Sequence, residues 1–224
     1  MITDLPYLSG PVFEPASNQK AQSMVLLLHG YGANGDDLIG LAPPLSQVLP
    51  NTVFISPNAP FPCSDNPGGF QWFDVWQSEG QNRVEAVRFA EAIVNKFVDR
   101  ELENRGLDHS KLFFVGFSQG TMLSLQVGLR RERPCAGILG YSGRLEMPEL
   151  LSEEIRSRVP VMLIHGEEDP LLPIEMMESA EKVLKQNGVE VTSMRRPGLG
   201  HGIDPEGLKG GAAFLTKYLE VQSA

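Results

Sequence analysis

Ser118, Asp169 and His201 are the side chains best suited to chemistry in this chain, because each falls in a turn-like stretch just after an apolar run. Ser118 is the centre of Gly116-Phe117-Ser118-Gln119-Gly120, a G-x-S-x-G pattern. A serine hydroxyl is a poor nucleophile, so its attack on a carbonyl needs a base that takes the proton and later returns it to the leaving group. His201, bracketed by Gly200 and Gly202 in a late loop, is the choice for that base. A neutral imidazole needs the right tautomer and stabilisation once charged, and a buried carboxylate supplies both. Asp169 is the choice for that acid, with Glu167 and Glu168 as rivals in the same turn. Two backbone N–H groups would meet the oxyanion: that of Gln119, and that of Tyr31 in the His29-Gly30-Tyr31-Gly32 loop. The pentapeptide alone is a weak signal, since Gly140-Tyr141-Ser142-Gly143 nearly repeats it. Its weight comes from the base, acid and donors around it.

These groups need rigid elements to hold them. Leu112–Val115 is a continuous apolar run, as expected of a strand buried on both faces of a parallel sheet, and Met122–Arg131 reads as a helix. Strand, sharp turn and helix make a nucleophile elbow, in which the serine takes a strained conformation and flanking glycines let strand and helix approach. Ser23–Leu28 predicts a second buried strand ahead of the glycine-rich loop. An edge hairpin is expected around Leu8–Phe13, and a helix over Asp37–Leu49 capped by Asp36 or Asp37. Thr52–Ser56 reads as a strand and Pro57–Gly69 as an irregular loop. Gln81–Arg105 carries a helical apolar stripe that ends at Gly106. Further strands are expected at Cys135–Tyr141, Pro160–His165 and Val189–Met194, and helices at Ile174–Asn187 and Glu206–Val221. Arg144–Val159 reads as a polar, proline-punctuated connection. This alternation predicts an α/β protein with a mostly parallel central sheet flanked by helices on both faces.

Length and composition fit that reading. The 224 residues are expected to form a single domain over 1–224, with 42% hydrophobic and 21% charged residues. A net charge of −9 leaves no basic stripe for phosphates, which argues against nucleic acid or an anionic membrane as partner. No apolar run is long enough to span a bilayer, and the start has no basic-then-apolar leader, so a cytoplasmic protein without integral membrane association is expected. Cys63 and Cys135 are far apart and are expected to be free thiols. Histidines and cysteines do not recur at ligand spacing, so neither a metal nor an organic cofactor is expected. His29 and His165, each before a glycine at a strand end, are read as structural; His109, in a polar turn, is read as solvated. Trp72 and Trp76 either plug the core or wall an acyl pocket.

The set HGYG, QWFD, GFSQG, HGEEDPLLP and GLGHGI resembles the phospholipase/carboxylesterase family, which includes the acyl-protein thioesterases, from about Ser23 to the C-terminus. The resemblance implies an α/β-hydrolase fold with no large cap domain, whose triad follows the chain order Ser118, Asp169, His201. It also implies Tyr31 and Gln119 as oxyanion donors, and places Trp72 beside the acyl-binding groove. Glu167 stands where the family usually has aspartate, and Leu172 where it has valine; neither touches the triad.

The function expected is a serine carboxylesterase acting on small-molecule esters or thioesters of short-to-medium acyl chains. Phe70, Trp72 and Leu171 are the substrate-binding candidates, with Leu41, Phe61 and Leu172 as further apolar loop residues. A lysophospholipase or acyl-protein thioesterase proper would use the same catalytic residues, and a binding module on the same fold would use none of them. A monomer or weak homodimer is expected, the latter if an apolar rim surrounds the groove.

Overall fold

The computed structural model describes residues 5–75 and 80–221. In chain order the first half carries β1 (Val12–Phe13), β2 (Ser23–Leu28), α1 (Gly35–Leu38), α2 (Ala42–Ser46), β3 (Thr52–Ile55), β4 (Phe61–Pro62), β5 (Phe70–Gln71) and α3 (Gly80–Arg105). The second half carries β6 (Leu112–Phe117), α4 (Gln119–Arg130), β7 (Gly137–Tyr141), α5 (Leu151–Glu154), β8 (Val161–Gly166), α6 (Glu175–Gln186), β9 (Val191–Arg196) and α7 (Pro205–Val221). Seven strands form one sheet in the order β1-β3-β2-β6-β7-β8-β9, parallel throughout except for β1.

The strand sequences explain the layers. Side chains alternate across a strand, so Met24, Leu26, Leu28, Leu112 and Phe114 face one side and Val25, Leu27, Phe113 and Val115 the other. Both sides must be covered, which is why these strands read as unbroken apolar runs. α3, α4 and α6 cover the first face through residues such as Val87, Ile93, Leu123 and Met177. α1, α2 and α7 cover the second through Leu38, Leu45 and Leu215. Among the described residues no helix is long and apolar enough to cross a membrane. Cys63 and Cys135 are both free and buried.

Several elements differ from the expected ones, for identifiable reasons. The edge hairpin at Leu8–Phe13 is a two-residue strand that pairs with β3 rather than with itself. The helix expected over Asp37–Leu49 is broken into α1, a 3₁₀ turn at Ile39–Leu41 and α2. Pro43 and Pro44 have no N–H to donate, so they are tolerated only in the first turn of a new helix. The cap is Asn34, whose Oδ1 accepts the Asp37 N–H while Asp37 returns the bond to the Asn34 N–H. The Pro57–Gly69 loop contains β4, paired with β5. Arg144–Val159 holds a 3₁₀ turn and α5, and it buries Leu145, Met147, Leu151, Ile155 and Val159.

Candidate active site

The end of β6 and the start of α4 meet at Ser118, which sits at φ 53° and ψ −115°. That region is unfavourable for a residue with a Cβ, and it throws the side chain outward between strand and helix. The glycines on either side make the turn possible. A Cβ at Gly116 would lie 2.4 Å from Gly120 C, and one at Gly120 would lie 1.7 Å from Leu28 O. Gly120→Ala is therefore expected to cost about 3 kcal/mol, a backbone clash that no side-chain movement relieves; the urea midpoint of the variant measures it. The Ser118 N–H donates to Tyr141 O, and Ser118 O accepts from Thr121 and Met122, so the backbone around the hydroxyl is held from both sides.

The acid and the histidine come from the next loops. Asp169 follows the end of β8, with its side chain wholly withdrawn from solvent, and its Oδ2 lies 2.7 Å from His201 Nδ1. Its Oδ1 accepts the Leu171 and Leu172 N–H groups, both at 2.9 Å. Burial works against the charged form, but the Leu172 N–H, His201 and the Leu171 N–H together outweigh it and hold the carboxyl below its ordinary range. The rivals Glu167 and Glu168 are exposed, and their backbone N–H groups donate to Arg196 O and Leu199 O. Gly166 permits this close packing of the two loops: a Cβ there would lie 2.2 Å from Leu199 O. The His201 ring packs against Phe117, centroids 5.0 Å apart, one residue before Ser118. Ser142 Oγ donates to Gly202 O, tying the His201 loop to the end of β7.

The loop after β2 lies beside the serine. A Cβ at Gly30 would come 3.3 Å from Ser118 Cβ, so the residue before Tyr31 abuts Ser118. Gly32 takes φ +74°, and the Gly32 N–H donates to Phe70 O while Phe70 N–H donates to Ala33 O. The first N–H of α4 belongs to Gln119, whose side chain is buried and does separate work. Its Oε1 accepts the Trp72 N–H and its Nε2 donates to Phe73 O. Arg83 on α3 clamps the same segment. It donates to Asp74 O and to both oxygens of buried Glu146, with its guanidinium 4.8 Å from the Phe73 ring centroid.

The other expected residues divide. Trp72 is fully buried; its indole N–H donates to His29 O and its ring lies against the His29 ring, so it plugs the core and offers no surface to a ligand. This corrects the substrate-binding role expected of it. Trp76 lies outside the described residues. Phe70, Leu41, Phe61 and Leu172 are half-buried, and Leu171, beside the acid, is 69% exposed. His29 is structural: Nδ1–H donates to Gly30 O and Nε2 accepts the Ala59 N–H, while burial lowers its pKa. His165 places Nε2 2.7 Å from Leu172 O and 3.3 Å from Asp169 Oδ2, a second imidazole at the acid. His109 is buried rather than solvated. Its Nδ1 accepts from Arg131, and burial, with Arg131 next to it, lowers its pKa. Among the described residues no cluster of three or more His, Cys, Asp or Glu could hold a metal ion.

Sheet order, elbow and flanking helices define an α/β-hydrolase. The sequence pattern of the phospholipase/carboxylesterase family matches residues 12–219. The chain is 31% identical to acyl-protein thioesterase 1 of Gibberella zeae, over 93% of this chain and 95% of that protein. It is 28% identical to esterase YpfH of Escherichia coli, over 84% of this chain and 79% of that one. The crystal structure of esterase PE8 superposes with a TM-score of 0.89 at 38% identity, covering 95% of this chain and 99% of that chain. The chain belongs to the phospholipase/carboxylesterase family, and with it to the ester hydrolases.

Proposed function

We propose that the chain is a serine carboxylesterase that hydrolyses carboxylic esters and thioesters of short-to-medium apolar acyl chains through an acyl-enzyme on Ser118. The observation that carries this reading is the 2.7 Å bond from His201 Nδ1 to a withdrawn Asp169 carboxylate, with that imidazole packed on Phe117, the residue before a serine at positive φ. With Nδ1–H committed to Asp169, the lone pair of His201 Nε2 is the basic site. It takes the Ser118 proton as Oγ attacks the acyl carbon, and the carbonyl oxygen gains charge toward the Gln119 and Tyr31 N–H groups. The imidazolium then protonates the leaving alkoxide or thiolate. Water, deprotonated by the same nitrogen, attacks the acyl-enzyme; collapse returns Ser118 and releases the carboxylic acid. Phe70 and Leu171 supply the apolar contact for the acyl chain. Buried free cysteines and an acidic charge balance support a cytoplasmic setting.

The likeness to acyl-protein thioesterase 1 favours a second reading within the same chemistry, with acylated proteins as substrates, and the family description adds lysophospholipids as a further candidate. Covalent labelling with a fluorophosphonate and peptide mapping test the nucleophile. Rates on matched oxygen esters, thioesters and lysophospholipids then rank the substrates. Labelling confined to Ser118, with faster turnover of p-nitrophenyl butyrate than of a lysophospholipid, is the expected result. No labelling of folded protein would leave a binding module instead.

A further inference from the structure

The loop that delivers His201 is poorly suited to hold it. Residues 197–204 connect β9 to α7 and read Pro-Gly-Leu-Gly-His-Gly-Ile-Asp, with glycines at 198, 200 and 202. Such a segment loses much conformational entropy when it is fixed. Asp169 restrains the imidazole, and the chain that carries it is held in its middle by single bonds, from Ser142 Oγ to Gly202 O and from the Glu168 N–H to Leu199 O.

The two ends of the loop are joined by a side-chain pair. Arg196, the last residue of β9, donates from Nε and Nη2 to the carboxylate of Asp204, at 3.0 Å and 2.8 Å to Oδ2, with Nε also 3.1 Å from Oδ1. Asp204 Oδ1 accepts the Gly207 N–H at 2.8 Å, and Asp204 O accepts the Leu208 N–H, so the same residue starts α7. On the other side, Arg196 O accepts the Glu167 N–H from the acid loop and the Leu199 N–H from the histidine loop. The ion pair thus joins the end of β9 to the start of α7, while the backbone carbonyl of the same Arg196 holds the acid loop and the histidine loop. An exposed ion pair usually contributes little, but this one has fork geometry, and its side chains are only 18% and 22% exposed. Arg196 is also the main reason the Asp204 carboxyl lies below its ordinary range.

We propose that Arg196 and Asp204 form a clasp at the neck of the His201 loop and act as positioning residues for ester hydrolysis. The inference rests on the reading of Ser118, Asp169 and His201 given above. Its consequence is specific to the proton that His201 returns. A histidine displaced by a fraction of an ångström still meets a nearby serine some of the time, but it protonates a departing alkoxide poorly. p-Nitrophenolate leaves without that proton, whereas ethoxide does not.

The test compares ethyl butyrate with p-nitrophenyl butyrate, which share the acyl group, through kcat/KM, which reports acylation. Arg196→Gln and Asp204→Asn break the clasp; the asparagine keeps an oxygen for the Gly207 N–H. Each variant is expected to lower kcat/KM about thirtyfold on the ethyl ester and only about threefold on the p-nitrophenyl ester. The double variant should be no worse than the poorer single, because the two residues act as one unit. Equal losses on both esters, or an unchanged ratio in both variants, would show a merely structural pair and overturn the clasp. His201→Gln separates the two readings. If it abolishes turnover while the ester ratio stays fixed in the clasp variants, the clasp alone fails; if it leaves turnover intact, the site and the clasp fail together.

Discussion

Ser118→Ala is expected to lower ester turnover by about 10⁴-fold or more while the protein stays folded. Removing Oγ removes the atom that would carry the acyl group, and the proposed oxyanion donors and apolar contacts would account for the residual rate. The fold should tolerate the change, because Ser118 makes no side-chain cap bond to α4 and its backbone bonds to Tyr141, Thr121 and Met122 survive in alanine. Alanine keeps the Cβ and hence the strain at φ 53°. Ser118→Gly removes it as well, so the glycine variant should be equally inactive yet more stable than wild type by about 1 kcal/mol. Activity and urea midpoint moving in opposite directions would mark a strained conformation kept for function. Turnover above about one per cent of wild type in the alanine variant, against the loss expected for a nucleophile, would rule Ser118 out.

What the sequence disclosed follows the physics of burial. β2, β6 and β8 lie inside a parallel sheet with both faces covered, so their apolar runs are continuous; β2 keeps its expected ends, β8 is shifted by one residue and β6 runs on to Phe117. The elbow was legible for the same reason: glycines at 116 and 120 have a steric task that spacing alone exposes. The edge of the sheet was harder. β9 is half-buried and runs to Arg196 rather than stopping at Met194, so the charged residues that close the His201 loop looked like part of the loop. Pro43 and Pro44 did announce the break between α1 and α2, a signal that the aspartates ahead of it obscured. The fates of Trp72 and His109 had no local signal. Each is decided by partners far away in the chain, His29 and Gln119 for the tryptophan and Arg131 for the histidine. The Arg83–Glu146 pair, which clamps the segment beside Gln119, spans 63 residues and was invisible for the same reason.

Asp169→Asn should fall nearly as far as the serine variant, by about 10³- to 10⁴-fold in kcat, although it changes one atom and leaves the packing alone. The reason lies in how the carboxylate is shared. Oδ1 accepts two backbone N–H groups, from Leu171 and Leu172, and Oδ2 accepts the His201 Nδ1–H, with His165 Nε2 3.3 Å away. Every neighbour is a donor, and an asparagine has only one acceptor atom to offer them. If its oxygen faces Leu171 and Leu172, its NH₂ faces His201 Nδ1 and turns that nitrogen into an acceptor. The ring proton then moves to Nε2, the position that must be bare to take the Ser118 proton. If the amide flips, the NH₂ meets two backbone N–H groups, leaving a buried pair of donors without an acceptor at about 1–3 kcal/mol each. The first arrangement is the cheaper, so the variant should fold, retain fluorophosphonate labelling at a greatly reduced rate and keep KM within about threefold of wild type, as expected when binding contacts are untouched. Asp169→Glu keeps the charge but lengthens the side chain by a methylene inside a fully withdrawn site, and should recover less than a tenth of the loss. An asparagine variant within tenfold of wild-type kcat would mean that His201 takes its tautomer from elsewhere, and the roles given to Asp169 and His201 would have to be reassigned.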